Sequence, residues 1–184
     1  MYVIIPFELF DVLNVFFGKK QTNNMVSYCY FTSILYSTKH FSLSNVIFHI
    51  KLFPIRIKHM NDMMHIYFDN NTDNHRTCIS NVNNIEKGIL KAYSGVKDNV
   101  FIQENITNQF IKGLLKLHIA TSLKKTYSSF QNNHVDILLR VSGVWENEYS
   151  KIGLIYKFML PSIQEQSIYT SKYYTHNNAY MNDS

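Results

Sequence analysis

The sequence is short of several residue types that define specialised protein classes. Its 184 residues include only 2 cysteines, 3 prolines, 6 glycines and 1 tryptophan. Cys29 and Cys78 are far apart, which favours free thiols in a reducing compartment over a disulfide. No stretch holds roughly 18 uninterrupted apolar residues, so the sequence predicts no transmembrane helix and no membrane partner.

Catalytic signatures are missing too. The sequence has no glycine-rich phosphate loop, no Gly-x-Ser-x-Gly elbow and no His-Glu-x-x-His helix. Glu146 and Glu148 lie close together, but two glutamates in a hairpin bend are normally turn residues that face solvent. We therefore expect no catalytic residues and a protein that is not an enzyme.

Metal-binding patterns are incomplete. Residues 69–74 begin like a calcium loop, but Asn74 stands where glycine is needed, and Ser80 stands where a glutamate would close the shell. His65, His75 and Cys78 carry zinc-binding atoms without a recognised zinc spacing. The sequence predicts no metal site and no cofactor.

Aromatic residues are abundant, with 13 phenylalanines and 13 tyrosines, alongside many Asn, Ile and Lys. AT-rich codons deliver this set of residues, which indicates an AT-rich genome such as that of a virus, an intracellular parasite or a symbiont. The amino terminus lacks a basic segment and carries Glu8 and Asp11 in its apolar run, which predicts no signal peptide. The expected location is intracellular, in the cytoplasm or nucleus of a host cell or in a virion.

The formal net charge of +5 is mild. It permits a polyanionic partner without requiring one. Lysine far outnumbers arginine, which suits non-specific contact with phosphates better than bidentate reading of bases.

The clearest structural pattern is a β-hairpin over residues 135–160. Apolar residues alternate with polar ones along both halves, and a polar turn around Glu146–Lys151 separates them. The residues predicted to share the buried face of the first strand are Val135, Ile137, Leu139 and Val141.

Two helices are predicted before this hairpin. Asn83 and Glu86 match a capping box that would start a helix over 83–94, ending at Gly95. Asn105 would cap a longer helix over 105–123 that leaves Lys112, Lys116, Lys124 and Lys125 exposed. Short strands are predicted at 55–58 and 65–68.

Three regions follow from these patterns. Residues 1–53 form an aromatic region of uncertain order, with a helical stripe that ends at Gly18 and strands at 28–36 and 46–53. Residues 54–160 form the core domain, and residues 161–184 form a flexible tail rich in polar residues. The predicted fold is α+β, an antiparallel sheet with a C-terminal hairpin and two helices packed on one face.

The hairpin sequences VSGVWE at 141–146 and IGLIYKF at 152–158 resemble the closing hairpin of small, mostly uncharacterised proteins of large AT-rich DNA viruses. Some of those proteins resemble viral single-strand DNA-binding proteins with an OB-like core. The resemblance covers residues 136–158. It implies a viral context, binding to single-stranded DNA, and an OB-like barrel as the alternative description of the sheet.

Two functions are consistent with these observations. The first is non-enzymatic binding of single-stranded nucleic acid, with basic side chains on phosphates and aromatic ones on bases. The second is a structural or protein-interaction component of a virus or mobile element, with the N-terminal region as an interface between copies of the chain. The candidate nucleic-acid-binding residues are Lys112, Lys116, Lys124, Lys125, Arg140, Trp145, Tyr149 and Lys157.

Overall fold

The computed structural model describes residues 3–22, 29–95, 100–118 and 134–161. Two short 3-10 turns, Phe7–Leu9 and Val12–Asn14, precede the first strand, and two α-helices follow later, α1 (Asp73–Ser94) and α2 (Asn105–Ile111). The strands are β1 (Val15–Phe17), β2 (Gln21–Thr22), β3 (Cys29–Ser37), β4 (Ser42–Leu43), β5 (Val46–Leu52), β6 (Pro54–Met60), β7 (Met63–Phe68), β8 (Phe101–Gln103), β9 (Leu114–His118), β10 (Val135–Asn147) and β11 (Lys151–Met159).

Within these ranges the strands form two sheets. The larger one has eight strands and curls into a half-barrel along the path β1-β3-β10-β11-β8, and the smaller one has the order β6-β7-β9. The predicted α+β fold is confirmed. The large sheet is mixed, because β8 runs parallel to β11 while the other pairs are antiparallel.

The predicted hairpin is present as β10 and β11. Its register pairs Leu139 with Phe158 and Val144 with Leu154, with a bulge between Val141 and Gly143. The four residues predicted to share the inner face of β10 are all buried, because alternation directs them into the hydrophobic core. The side chain of Asn147 shapes the turn, since its Oδ1 accepts the backbone N–H groups of Tyr149 and Lys151.

β10 is also the central strand of the large sheet. On the edge opposite β11, residues 135–141 pair with β5 and residues 143–147 pair with β3. Both partners come from the region 1–53, so that region contributes strands to the same sheet as the hairpin. The strands predicted at 28–36 and 46–53 correspond to β3 and β5.

The predicted start of the first helix is wrong. α1 begins ten residues earlier, at Asp73, so Asn83 lies inside the helix and caps nothing. Thr72 takes the cap position. The preceding turn is stabilised by Asp69, whose Oδ1 accepts the backbone N–H of Asn71. The helix ends at Gly95, as predicted, where a φ of 56° suits glycine.

The predicted helix over 105–123 is wrong beyond Ile111. Gly113 adopts a φ of 63°, which breaks the helical path, and the chain continues as β9. A β-carbon at this glycine would lie 2.6 Å from the Phe68 carbonyl oxygen, so only glycine fits the close approach to β7. Asn105 is the first residue of α2 and does not cap it. Residues 119–123 lie outside the described ranges.

The helical stripe predicted to end at Gly18 is also wrong. The segment forms the two 3-10 turns and then β1, because pairing with β3 satisfies the backbone of Val15–Phe17. Gly18 continues this pairing, since its backbone N–H donates to the Ser33 carbonyl at 2.9 Å. The predicted tail lies outside the described ranges after Pro161.

One core joins the two sheets and the helices. The concave side of the half-barrel supplies Phe48, Ile50 and Leu139, and α1 and α2 contribute Ile89 and Phe110. One side of the small sheet adds further apolar residues, namely Met64, Ile66, Phe68, Leu115 and Leu117. Neither α1 nor α2, the α-helices of the described ranges, is long and apolar enough to cross a bilayer.

Candidate nucleic-acid interface

A basic groove lies between β9 and β11, where the small sheet meets the large one. It has a volume of about 480 Å³. Three of the predicted phosphate-binding residues, Lys112, Lys116 and Lys157, line it, and no carboxylate of the described residues does. The remaining lining residues are Met63, Gln109, Leu114, His118, Tyr156 and Phe158.

The strand conformation of β9 places the groove's charges. Leu115 and Leu117 point into the core, so Lys116 and His118 lie on the opposite, exposed side. Lys112 sits in the turn between α2 and β9, next to the left-handed Gly113. The groove therefore depends on the break in the helix that the sequence pattern did not predict.

A second cation, Arg140, lies next to Lys157. The hairpin register places Arg140 directly opposite Lys157, so two positive side chains are neighbours across β10 and β11. The Arg140 Nε is buried and has no hydrogen-bond partner among the described residues. Within the described ranges, no ion pair joins these two residues to a carboxylate. An anion at this position would relieve their repulsion.

Tyr156 lines the groove on the β11 side. Gln109 of α2 donates a side-chain hydrogen bond to its hydroxyl at 2.5 Å. Burial and the nearby charge of Glu86 raise the pKa of Tyr156, so its hydroxyl stays protonated at neutral pH. The groove can thus offer cations and a neutral aromatic edge.

The two aromatic residues predicted to stack on bases lie at the other end of the hairpin. Trp145 is half-buried, and its indole covers Gly153, where a β-carbon would come within 2.7 Å of the ring. Tyr149 is 68% exposed in the turn, and a hydrogen bond to Glu148 raises its pKa. Five positions of β10 separate Arg140 from Trp145, a distance of roughly 15 Å along an extended strand.

The structure therefore brings some of the candidate residues together and separates others. Lys112, Lys116 and Lys157 share the groove, Arg140 adjoins it, and the aromatic pair lies apart. Lys124 and Lys125 lie outside the described ranges. His118 and Tyr156 were missed as groove residues, although the period of two in Leu115-Lys116-Leu117-His118 is the signal that could have identified this strand.

His75, one of the residues considered for zinc, has another role. His75 is buried, its Nε2 accepts the Phe53 backbone N–H at 3.1 Å, and its Nδ1 lies 2.6 Å from the Asp69 carbonyl oxygen. This pattern makes Nε2 an acceptor and places a proton on Nδ1, which faces the carbonyl. The described part of the chain holds no group of three or more His, Cys, Asp or Glu side chains placed to bind a metal ion.

Glu146 and Glu148, the two acids of the bend, have different surroundings. The Glu146 carboxylate accepts the Tyr93 hydroxyl at 2.9 Å and lies 3.0 Å from the Lys20 ammonium. Glu148 is exposed in the turn. Glu146 thus links the hairpin to α1 and to the N-terminal segment.

Comparison of the chain with protein-family profiles, with curated proteins and with solved structures finds no match.

Proposed function

We propose that this protein binds single-stranded nucleic acid without catalysing a reaction, and that the groove between β9 and β11 holds the phosphates. The observation that carries the proposal is the convergence of Lys112, Lys116 and Lys157 on one groove, where the described part of the chain contributes no carboxylate. The resemblance of residues 136–158 favours a viral or virus-derived origin. Trp145 and Tyr149 remain predicted stacking residues.

The physical argument concerns two cations, Arg140 and Lys157, that form no ion pair with a carboxylate among the described residues. Arg140 faces Lys157 across the hairpin, and like charges at directly opposed positions destabilise a sheet. Bound phosphates would remove that penalty and release counterions from the nucleic acid. Lysines suit this role because an ammonium group binds phosphate as a point charge and imposes no base geometry.

The test is a titration of the full chain with a fluorescent oligonucleotide, read by anisotropy at several salt concentrations. Affinity should fall steeply with salt, with a slope of roughly 0.7 per phosphate contact on a logarithmic plot. Replacing Lys112, Lys116 and Lys157 by alanine should weaken binding and reduce that slope by roughly 2. The matched control replaces Lys19, Lys39 and Lys91, which are exposed and lie outside the groove. Equal losses in both triple variants, or no binding at low salt, would contradict the proposal.

A second function has its own observation. The N-terminal region exposes several large apolar side chains, which are uncommon as a group on the surface of a monomer. Leu9 is 72% exposed, Leu13 82% and Phe16 54%. Leu35 pairs with Phe16 across β1 and β3 and is also exposed. These residues support the alternative that the chain is a structural component that associates through this region.

Light scattering coupled to size-exclusion chromatography tests the alternative. Deleting the region would remove β3 and β5 from β10, so point variants are the sound choice. Phe16→Ser with Leu35→Lys should turn an oligomer into a monomer without altering its circular dichroism. A wild-type chain that is monomeric at high concentration would remove the reason for proposing an interface.

A further inference from the structure

The small sheet has a second side that faces away from the core. Its register forms three cross-strand rows over β6, β7 and β9. The rows are Arg56–Tyr67–Leu114, Lys58–His65–Lys116 and Met60–Met63–His118.

Alternation separates this side from the core. The residues on the opposite side are buried, each with at most 1% of its surface exposed: Met64, Ile66, Leu115 and Leu117. All nine residues of the three rows are exposed or half-buried. We call these nine residues the open face.

The open face is basic and contains no carboxylate. Arg56, Lys58 and Lys116 provide three charges, and two histidines lie among them. The Lys58 ammonium lies 5.9 Å from the ring centroid of Tyr67, so a cation and an aromatic ring are adjacent. In the described ranges, no ion pair links the three cations to an acid.

The open face is continuous with the groove. Met63, Leu114, Lys116 and His118 belong to both surfaces. Adjacent strands are roughly 5 Å apart, so the face extends the basic surface by about 10 Å from β9 to β6. A ligand could therefore cross the three strands and continue along β11.

We propose that the open face is the base-stacking platform of the nucleic-acid site, with a single strand crossing β6, β7 and β9 into the groove. This inference rests on the proposed function and specifies its ligand path. Tyr67 stacks on a base, while Arg56, Lys58 and Lys116 contact phosphates on either side. Such a surface binds nucleic acid with little preference for base sequence, since every base offers an aromatic plane.

The test compares variants of the open face in the full chain by oligonucleotide anisotropy. Tyr67→Ala should weaken binding roughly five-fold or more, whereas Tyr67→Phe should bind like wild type because the ring is retained. Arg56→Gln with Lys58→Gln should reduce the salt slope by roughly 1.4. Lys39→Gln with Lys91→Gln is the matched control, and thermal melts establish that each variant is folded.

Four results would overturn the inference. If wild type binds but the open-face variants bind equally well, the proposed function stands and the platform does not exist. The bases stack on the hairpin turn if Tyr149→Ala weakens binding, Tyr67→Ala has no effect, and the oligonucleotide quenches the fluorescence of Trp145. If polyphosphate competes as well as the oligonucleotide and Tyr67→Ala has no effect, the surface binds any polyanion. A wild-type chain that does not bind would refute both proposals.

Discussion

The carboxylate of Glu86 on α1 accepts two hydrogen bonds from Thr107 on α2, from its backbone N–H at 2.8 Å and its hydroxyl at 2.7 Å. Its other oxygen accepts the Ile106 backbone N–H at 3.0 Å. Glu86 thus caps the amino terminus of a helix to which it does not belong. The residue is fully buried, and desolvation raises its pKa although these hydrogen bonds oppose the rise.

Removing this cap should destabilise the protein. Glu86→Ala leaves two buried N–H groups and a hydroxyl without an acceptor, which we expect to cost about 3 kcal/mol of unfolding free energy. Glu86→Gln keeps one carbonyl acceptor and should cost about 1 kcal/mol. Urea denaturation followed by circular dichroism measures both values. If both variants were as stable as the wild type, the cap would contribute little.

Asp136 should make stability depend on pH. Burial acts to raise its pKa, but the hydrogen bond and charge of His49, at 2.8 Å, together with His134, hold the pKa of this carboxyl below its ordinary value. Because the folded pKa is lowered, the stabilisation is complete above the unfolded pKa of about 3.9 and is lost as pH falls through the folded pKa.

Denaturation of wild type and Asp136→Asn across the acid range tests this sign. At pH 7 the variant should be less stable by about 1 to 2 kcal/mol. The difference should shrink towards zero as pH falls below 4. A difference that is constant with pH would show that Asp136 contributes through packing and not through its charge.

Gly153 is predicted to tolerate no side chain. A β-carbon there would meet the Trp145 indole at 2.7 Å, so Gly153→Ala must displace the ring and should cost about 1 to 3 kcal/mol. Trp145 is the only tryptophan, so its fluorescence reports on this displacement alone. Gly88→Ala is the control, because its new β-carbon would make an ordinary 3.7 Å contact with Val12. Identical melts for the two variants would contradict the predicted clash.

Cys78 should be an unreactive thiol in the folded protein. Burial raises its pKa to about 12, which leaves roughly a thousand-fold less thiolate at neutral pH than an ordinary cysteine has. In a Cys29→Ala variant, an aromatic disulfide reagent should label Cys78 only as fast as the protein opens. Rapid labelling at pH 7 that denaturant does not accelerate would refute this.

The sequence predicts the strands of this fold better than its helices. Alternation in β10 and β11 is unambiguous because one face of each strand packs on the core. The predicted helix boundaries were wrong because a polar residue can cap its own helix or bind a distant part of the chain. Asn83 and Glu86 match a capping box by spacing, yet Glu86 caps α2, a partner twenty residues away that no local pattern indicates.

The candidate site was harder still to predict. The spacing of Ile106, Phe110, Leu114 and Leu117 fits a helix, and that period hid the strand that Gly113 begins. The groove then arises from the meeting of two sheets, which places Lys116 beside Lys157 although 41 positions of sequence separate them. Only tertiary packing could bring these charges together.

The position of β10 at the centre of the large sheet has a consequence for folding. Its partners β5 and β3 precede it by roughly 80 to 120 residues, so the pairs that close the half-barrel are the most distant in the chain. Closing loops of this length slows folding. Because the partners are synthesised at different times, the early strands must wait for the late one. On the ribosome, β3 and β5 emerge first and present bare edges until residues 135–147 arrive. An unpaired strand edge is a template for pairing with another chain, so the nascent chain is most exposed to aggregation during that interval.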